Sequence, residues 1–97
     1  MKKNKLITSA RKVISAEIVA LKKLSQSIDT SFIKTIDLLH KVKGRVICCG
    51  VGKSAKILEK ISSTLSSIGI SSFTLDPTDA GHGSLGAIKK NDILMIA

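Results

Sequence analysis

The chain has almost no aromatic side chains: Trp and Tyr are absent, and Phe occurs twice, at Phe32 and Phe73. The core is therefore expected to be aliphatic, and the stacking platforms that hold single-stranded nucleic acid are missing. Cysteine occurs only as the adjacent pair Cys48 and Cys49. Neighbouring strand residues point to opposite faces, so these two do not form an ordinary disulfide with each other, and no CxxC spacing marks a zinc site. Buried free thiols fit a reducing, cytoplasmic setting. No apolar run approaches the roughly 20 residues needed to cross a bilayer. Acidic residues are few, 7 against 16 Lys and Arg, giving a formal net charge of +9. Such a charge favours anions of every kind, and on charge alone a nucleic-acid or membrane-surface protein is one reading. The lysines are scattered, however, and a solvated basic surface with neither partner is the expectation.

What is present fits a single domain of 97 residues, residues 1–97. Arg11 and Lys12 cut short any signal-peptide core at the basic start. Leu6, Ala10, Val13, Ile14, Leu21, Leu24 and Ile28 recur at helical spacing, interrupted only by Glu17, and predict a long amphipathic helix over 5–28. A helix of that length at the edge of a small domain suggests packing against a partner chain. Asp29, Thr30 and Ser31 are candidate caps for a second helix over 31–42, with Lys41 and Lys43 in its last turn and Gly44 ending it. His40, at that helix end, is left out of the site. Residues 1–43 thus form a helical lead-in and 44–97 a core of strands and helices.

The core is organised around Gly44 to Ile70. Arg45 to Cys49 reads as a buried parallel strand, and Gly50 and Gly52 flank Val51 where the chain reverses. Ile57, Leu58, Ile61, Leu65 and Ile68 then recur at helical spacing, and Gly69 stops that helix. A strand ending in glycines that feed a helix N-terminus presents unpaired N–H groups and the positive end of the helix dipole to an anion, with Lys53 and Ser54 alongside. Ser71 to Leu75 is a second strand, parallel to the first and ended by Asp76-Pro77. Residues 78–86 form a glycine-rich loop in which Asp79 is a candidate cap, and Ile93 to Ala97 is a third strand. The order ααβαβ(short α)β predicts an open α/β fold with a parallel sheet. A Walker A loop is excluded because Ile47 stands where its first glycine belongs. A dinucleotide fingerprint is weak because Ala55 takes its third glycine position.

Two motifs narrow the choice. Gly50-Val51-Gly52-Lys53-Ser54 after a strand, and Ala80-Gly81-His82-Gly83-Ser84-Leu85-Gly86 about thirty residues on before another strand, resemble the sugar isomerase (SIS) domain family, and within it the arabinose-5-phosphate isomerases. The resemblance spans essentially the whole chain. It implies an open parallel sheet of the flavodoxin-like doubly wound type, preceded by two helices and here truncated after the third strand. It also implies aldose–ketose isomerisation between D-arabinose 5-phosphate and D-ribulose 5-phosphate through an enediol, serving 3-deoxy-octulosonate and lipopolysaccharide synthesis. Lys53 matches the catalytically relevant lysine. Gly50, Gly52 and Ser54 belong to the same turn, His82 matches a substrate-contacting histidine, and Gly69-Ile70 match a substrate-contacting pair acting through backbone atoms. The family is typically tetrameric, so a homo-oligomer is implied, with no cofactor. Asp76 stands where relatives carry a histidine able to bind zinc, and no metal is expected. Ala55 replaces a glycine usual after Lys-Ser. Relatives continue past the third strand into a Ser-Asn-Ser-Gly-Glu loop and further catalytic carboxylates that do not occur here. The only glutamates are Glu17 and Glu59, and Glu59 lies too far along its helix to serve as the base. The chain alone is therefore expected to be catalytically incomplete. The alternative is a sensor module of the same family that binds sugar phosphate without turnover.

Overall fold

The computed structural model describes residues 2–97. Helices α1 (Lys3–Ser27) and α2 (Thr30–His40) precede β1 (Val46–Cys49), α3 (Lys53–Ser67), β2 (Ser72–Leu75), α4 (Pro77–Gly81), a 3₁₀ turn (Ser84–Ala87) and β3 (Ile93–Ile96). The chain divides into two compact units, one ending at Thr35 and the other Ile36–Ala97.

In the second unit the three strands form one parallel sheet in the order β2-β1-β3. Cys49 pairs with Leu75 on one side and with Ile96 on the other, so all three strands end together at one carboxyl edge. The central strand carries the core. Val46 and Ile47 are fully buried and Cys48 nearly so, because both edges and both faces of β1 are covered there. Burying each such side chain is worth roughly 1.5–3 kcal/mol. Val46 and Cys48 pack with Leu58 of α3, joined by Ile61, Leu65, Ile70, Ile93, Met95, Leu39 and Val42. This aliphatic core is the one the composition predicts. A short polar relay sits under α3: the Ser72 hydroxyl donates to the Val46 carbonyl at 2.7 Å and accepts from the buried Ser62 hydroxyl at 2.8 Å.

Local details depart from the sequence reading in three places. Helix α2 ends at His40, so Lys41 and Lys43 lie beyond its last turn and Gly44 does not cap it. Gly44 is needed where β1 begins: a Cβ there would lie 2.6 Å from the Asn91 carbonyl oxygen and 2.5 Å from Asp92 Oδ1. The cap of α4 is Asp76, whose carboxylate accepts from the Thr78 N–H at 2.7 Å, and not Asp79. Residues read as a glycine-rich loop contain α4 and the 3₁₀ turn, because Asp76-Pro77 is a strong helix start as well as a strand stop. Asp29 does cap α2, accepting from the backbone N–H and the hydroxyl of Ser31 at 2.9 and 2.6 Å.

The first unit consists of α1 and the start of α2. Among the described residues, α1 has no buried side chain. Among the same residues, no helix is long and apolar enough to cross a membrane.

Candidate functional site

The turn after β1 is three residues long, and each glycine in it answers a different demand. Gly50 is closely packed: a Cβ would lie 2.7 Å from the Ala97 carbonyl oxygen and 2.8 Å from Leu58 Cδ1. Gly52 meets nothing, but its φ of +63° and ψ of −131° are open essentially to glycine alone. Gly52 is also the N-cap of α3. No side chain caps that end, and no acidic residue stands in its first turn. The first-turn amides therefore face outward with the positive end of the dipole uncompensated. Lys53 opens the helix and is exposed, and Ser54 beside it is half-buried. A helix start that holds a cation in place of a carboxylate favours an anionic ligand.

The next segment to leave the same edge follows β2. It runs through Asp76 and α4 to His82, which caps α4 and is exposed, and then to Gly83 at φ +116°. Gly50, Gly52, Lys53 and Ser54 thus share one turn, and His82 lies in the loop that follows the neighbouring strand. Gly69 and Ile70 lie elsewhere. They sit at the far end of α3, a helix about 22 Å long at 1.5 Å per residue. Gly69, at φ +93°, and Ile70 build its C-terminal cap. The Gly69 N–H donates to the Ser66 carbonyl at 3.2 Å and the Ile70 N–H to Leu65 at 2.9 Å. The Ile70 amide is thereby already paired within the chain.

Beside the turn is a cleft of about 80 Å³ lined by Cys48, Gly50, Ala55, Leu58, Glu59, Thr74, Leu75 and Asp76. Glu59 is the residue that the sequence reading set aside. Distance along the helix is the wrong measure, because Glu59 follows Ala55 by one turn and shares its face. The i, i+4 spacing from Ala55 was the available signal. The Glu59 carboxylate makes a loose, exposed contact with Lys56 at 3.9 Å. Among the described residues, no cluster of three or more His, Cys, Asp or Glu is placed to hold a metal ion.

Comparison with known proteins places this architecture. No family model matches the chain. An uncharacterized protein of Rickettsia prowazekii is 45% identical over 87 residues, covering 90% of this chain and 27% of that protein. Arabinose 5-phosphate isomerase KpsF of Escherichia coli O6:H1 is 40% identical over 92 residues, covering 94% of this chain and 28% of that enzyme. A solved protein of E. coli CFT073, in complex with arabinose 5-phosphate, superposes on 99% of this chain and 51% of its own, with a TM-score of 0.91 and 32% identity. Sheet order, the glycine turn and these matches define a sugar isomerase (SIS) domain fold. Within that class the chain is similar, over nearly its whole length, to part of the arabinose 5-phosphate isomerases. It spans just over a quarter of the length of the curated relatives it matches.

Proposed function

We propose that this chain supplies the sugar-phosphate-binding turn of an aldose–ketose isomerase of phosphorylated pentoses. The substrates are D-arabinose 5-phosphate and D-ribulose 5-phosphate, and the product route leads to 3-deoxy-octulosonate and lipopolysaccharide. The observation that carries this reading is the uncapped N-terminus of α3 behind Gly50 and Gly52, with Lys53 standing at its mouth. Isomerisation moves a proton between C2 and C1 and charge develops on the substrate oxygens. A fixed ammonium and helix amides stabilise that charge more than they stabilise the resting sugar. In this reading Lys53 contacts a substrate oxygen or the phosphate. Ser54 and the backbone at Gly50 and Gly52 cradle the anion, and His82 contacts the sugar from the adjacent loop. Gly69 and Ile70, remote from that turn within one chain, then serve a substrate held by another copy, which accords with a homo-oligomer, a tetramer by family resemblance. The two free cysteines accord with a cytoplasmic location.

The test combines binding and turnover. D-Arabinose 5-phosphate titrated into the chain is expected to shift the amide resonances of Gly52, Lys53 and Ser54. Conversion to the ketose, followed by NMR, is expected to be absent from this chain alone. Absence of any shift at those amides overturns the proposal. Binding without conversion in a longer protein that contains this chain selects the sensor reading over the enzyme.

A further inference from the structure

The cleft beside the β1–α3 turn has the opposite sign from the rest of the chain. Its lining includes Glu59 and Asp76 and, among the described residues, no Lys or Arg. Two of the chain's 7 acidic residues thus meet at one opening of about 80 Å³, in a chain of net charge +9. Compensation from cations is slight. Glu59 lies 3.9 Å from the Lys56 ammonium across an exposed contact, and Asp76 places one carboxylate oxygen on the Thr78 N–H at 2.7 Å. The nearby lining is neutral: Cys48 is 1% exposed and burial pushes its thiol above the ordinary value, while Gly50 and Ala55 add only backbone and a methyl group. Gly50 belongs both to this cleft and to the turn at the head of α3, so a cationic and an anionic region adjoin there. Along the α3 axis Lys53 and Glu59 stand about 9 Å apart.

We propose that Glu59, with Asp76, makes this site selective for ligands that carry one anionic group and an otherwise uncharged, hydroxyl-bearing chain. The anion goes to the turn. The hydroxylated chain enters the cleft, where carboxylate oxygens accept hydrogen bonds from hydroxyl groups. The opening is several times the roughly 10–15 Å³ that a single water requires, so it admits such groups. A second phosphate on the same chain meets two carboxylates at short range, with less water between them than on an open surface, and is repelled. Net charge alone predicts the reverse preference, since a strongly basic chain attracts the more highly charged ester. The order of the two affinities is therefore diagnostic. This inference rests on the sugar-phosphate reading above and adds to it the choice between monophosphate and bisphosphate.

Calorimetric titration of the whole chain with inorganic phosphate, D-ribulose 5-phosphate and D-ribulose 1,5-bisphosphate tests it. The wild-type chain is expected to bind the monophosphate about tenfold or more tightly than the bisphosphate. Glu59→Gln keeps the size of the side chain and an oxygen acceptor, and Asp76→Asn keeps a good helix cap. Glu59→Gln is expected to narrow the ratio about threefold or more by strengthening the bisphosphate, with a smaller change for inorganic phosphate and no change in helix content by circular dichroism. The double variant Glu59→Gln/Asp76→Asn is expected to prefer the bisphosphate. A wild-type chain that binds the bisphosphate at least as tightly as the monophosphate overturns the proposal, and so does a ratio that Glu59→Gln leaves unchanged. Either result, with inorganic phosphate still bound, leaves the sugar-phosphate reading intact. Failure of all three ligands to bind overturns that reading and this inference together.

Discussion

Asp92 holds Arg45 at both its backbone and its side chain. Oδ1 accepts from the Arg45 backbone N–H at 2.8 Å, and Oδ2 accepts from its guanidinium at 3.3 Å and from the Lys89 N–H at 2.7 Å. The same guanidinium donates to the Ala87 carbonyl at 2.6 Å and lies 4.8 Å from the centroid of the Phe73 ring. One carboxylate, its side chain 3% exposed, thus fastens the starts of β1 and β3 at the sheet edge opposite Gly50.

That arrangement sets an acid limit on stability. The Arg45 N–H, and after it the Lys89 N–H, hold the Asp92 carboxyl below its ordinary pKa. A group whose pKa is lowered on folding stabilises the fold above its unfolded pKa, about 3.9, and loses that contribution as pH falls through the lower folded value. The urea midpoint is therefore expected to be level near neutral pH and to fall below about pH 4. Asp92→Asn should lower the midpoint at neutral pH and flatten the acid limb. Parallel acid limbs in wild type and variant would assign the effect to other carboxylates.

The two glycines of the β1–α3 turn should fail in different ways. Gly50→Ala forces a methyl group against the Ala97 carbonyl and Leu58, and overpacking of this kind costs about 1–3 kcal/mol. Gly52→Ala meets no neighbour but must occupy φ +63°, at a cost of about 1–3 kcal/mol or a shift of the turn. The expected outcome is lower stability for both in urea unfolding. Compensating stabilisation elsewhere should rescue folding of both but phosphate binding only for Gly50→Ala. Retention of phosphate affinity in Gly52→Ala would detach the turn geometry from ligand binding.

The strands and α3 were legible because periodicity carries them: a β-branched run at 45–49, then apolar residues at i, i+3, i+4 and a glycine stop. The structure bears out that stop in full, down to the paired amides of Gly69 and Ile70. The segment after β2 was less legible, because Asp76-Pro77 signals both the end of a strand and the start of a helix and only the first was read. Glu59 lines the cleft beside Gly50, a placement that its distance along the chain conceals and its i, i+4 relation to Ala55 reveals. The end of α2 was misjudged because Val42 packs on the core without being helical, and apolar periodicity continued past the last turn. Arg45–Asp92 spans 47 residues and leaves no local pattern in either segment.

Cys48 and Cys49 face opposite sides of β1 and should differ in reactivity. Cys48 is 1% exposed, and burial pushes its thiol above the ordinary value, with a weaker opposing contribution from Ser72. Thiolate is the reactive form, so both access and ionisation protect it. Cys49 is half-buried at the carboxyl edge. Alkylation of the native protein at mildly alkaline pH, mapped by mass spectrometry, should modify Cys49 first and Cys48 only in denaturant. A raised folded pKa on Cys48 also means that its contribution to stability is present below the unfolded pKa and is lost as pH rises through the folded one. Equal rates at the two residues would show that β1 opens under native conditions.

Lys53 separates binding from folding most cleanly. It is exposed, and its ammonium opposes the α3 dipole by about 0.3–1 kcal/mol when no anion is present. Lys53→Ala is therefore expected to leave stability unchanged or slightly raised in urea unfolding. The same substitution should weaken inorganic phosphate and D-arabinose 5-phosphate binding about tenfold or more, since a charge-assisted hydrogen bond is worth about 1.5–3 kcal/mol. His82→Ala should weaken only the sugar phosphate, because His82 lies beyond the turn that receives the anion. Calorimetric titrations with both ligands at two ionic strengths measure all of this, and added salt should erode the Lys53 contribution. If Lys53→Ala lowers stability while phosphate affinity holds, the lysine is structural and the anion site at the head of α3 does not exist.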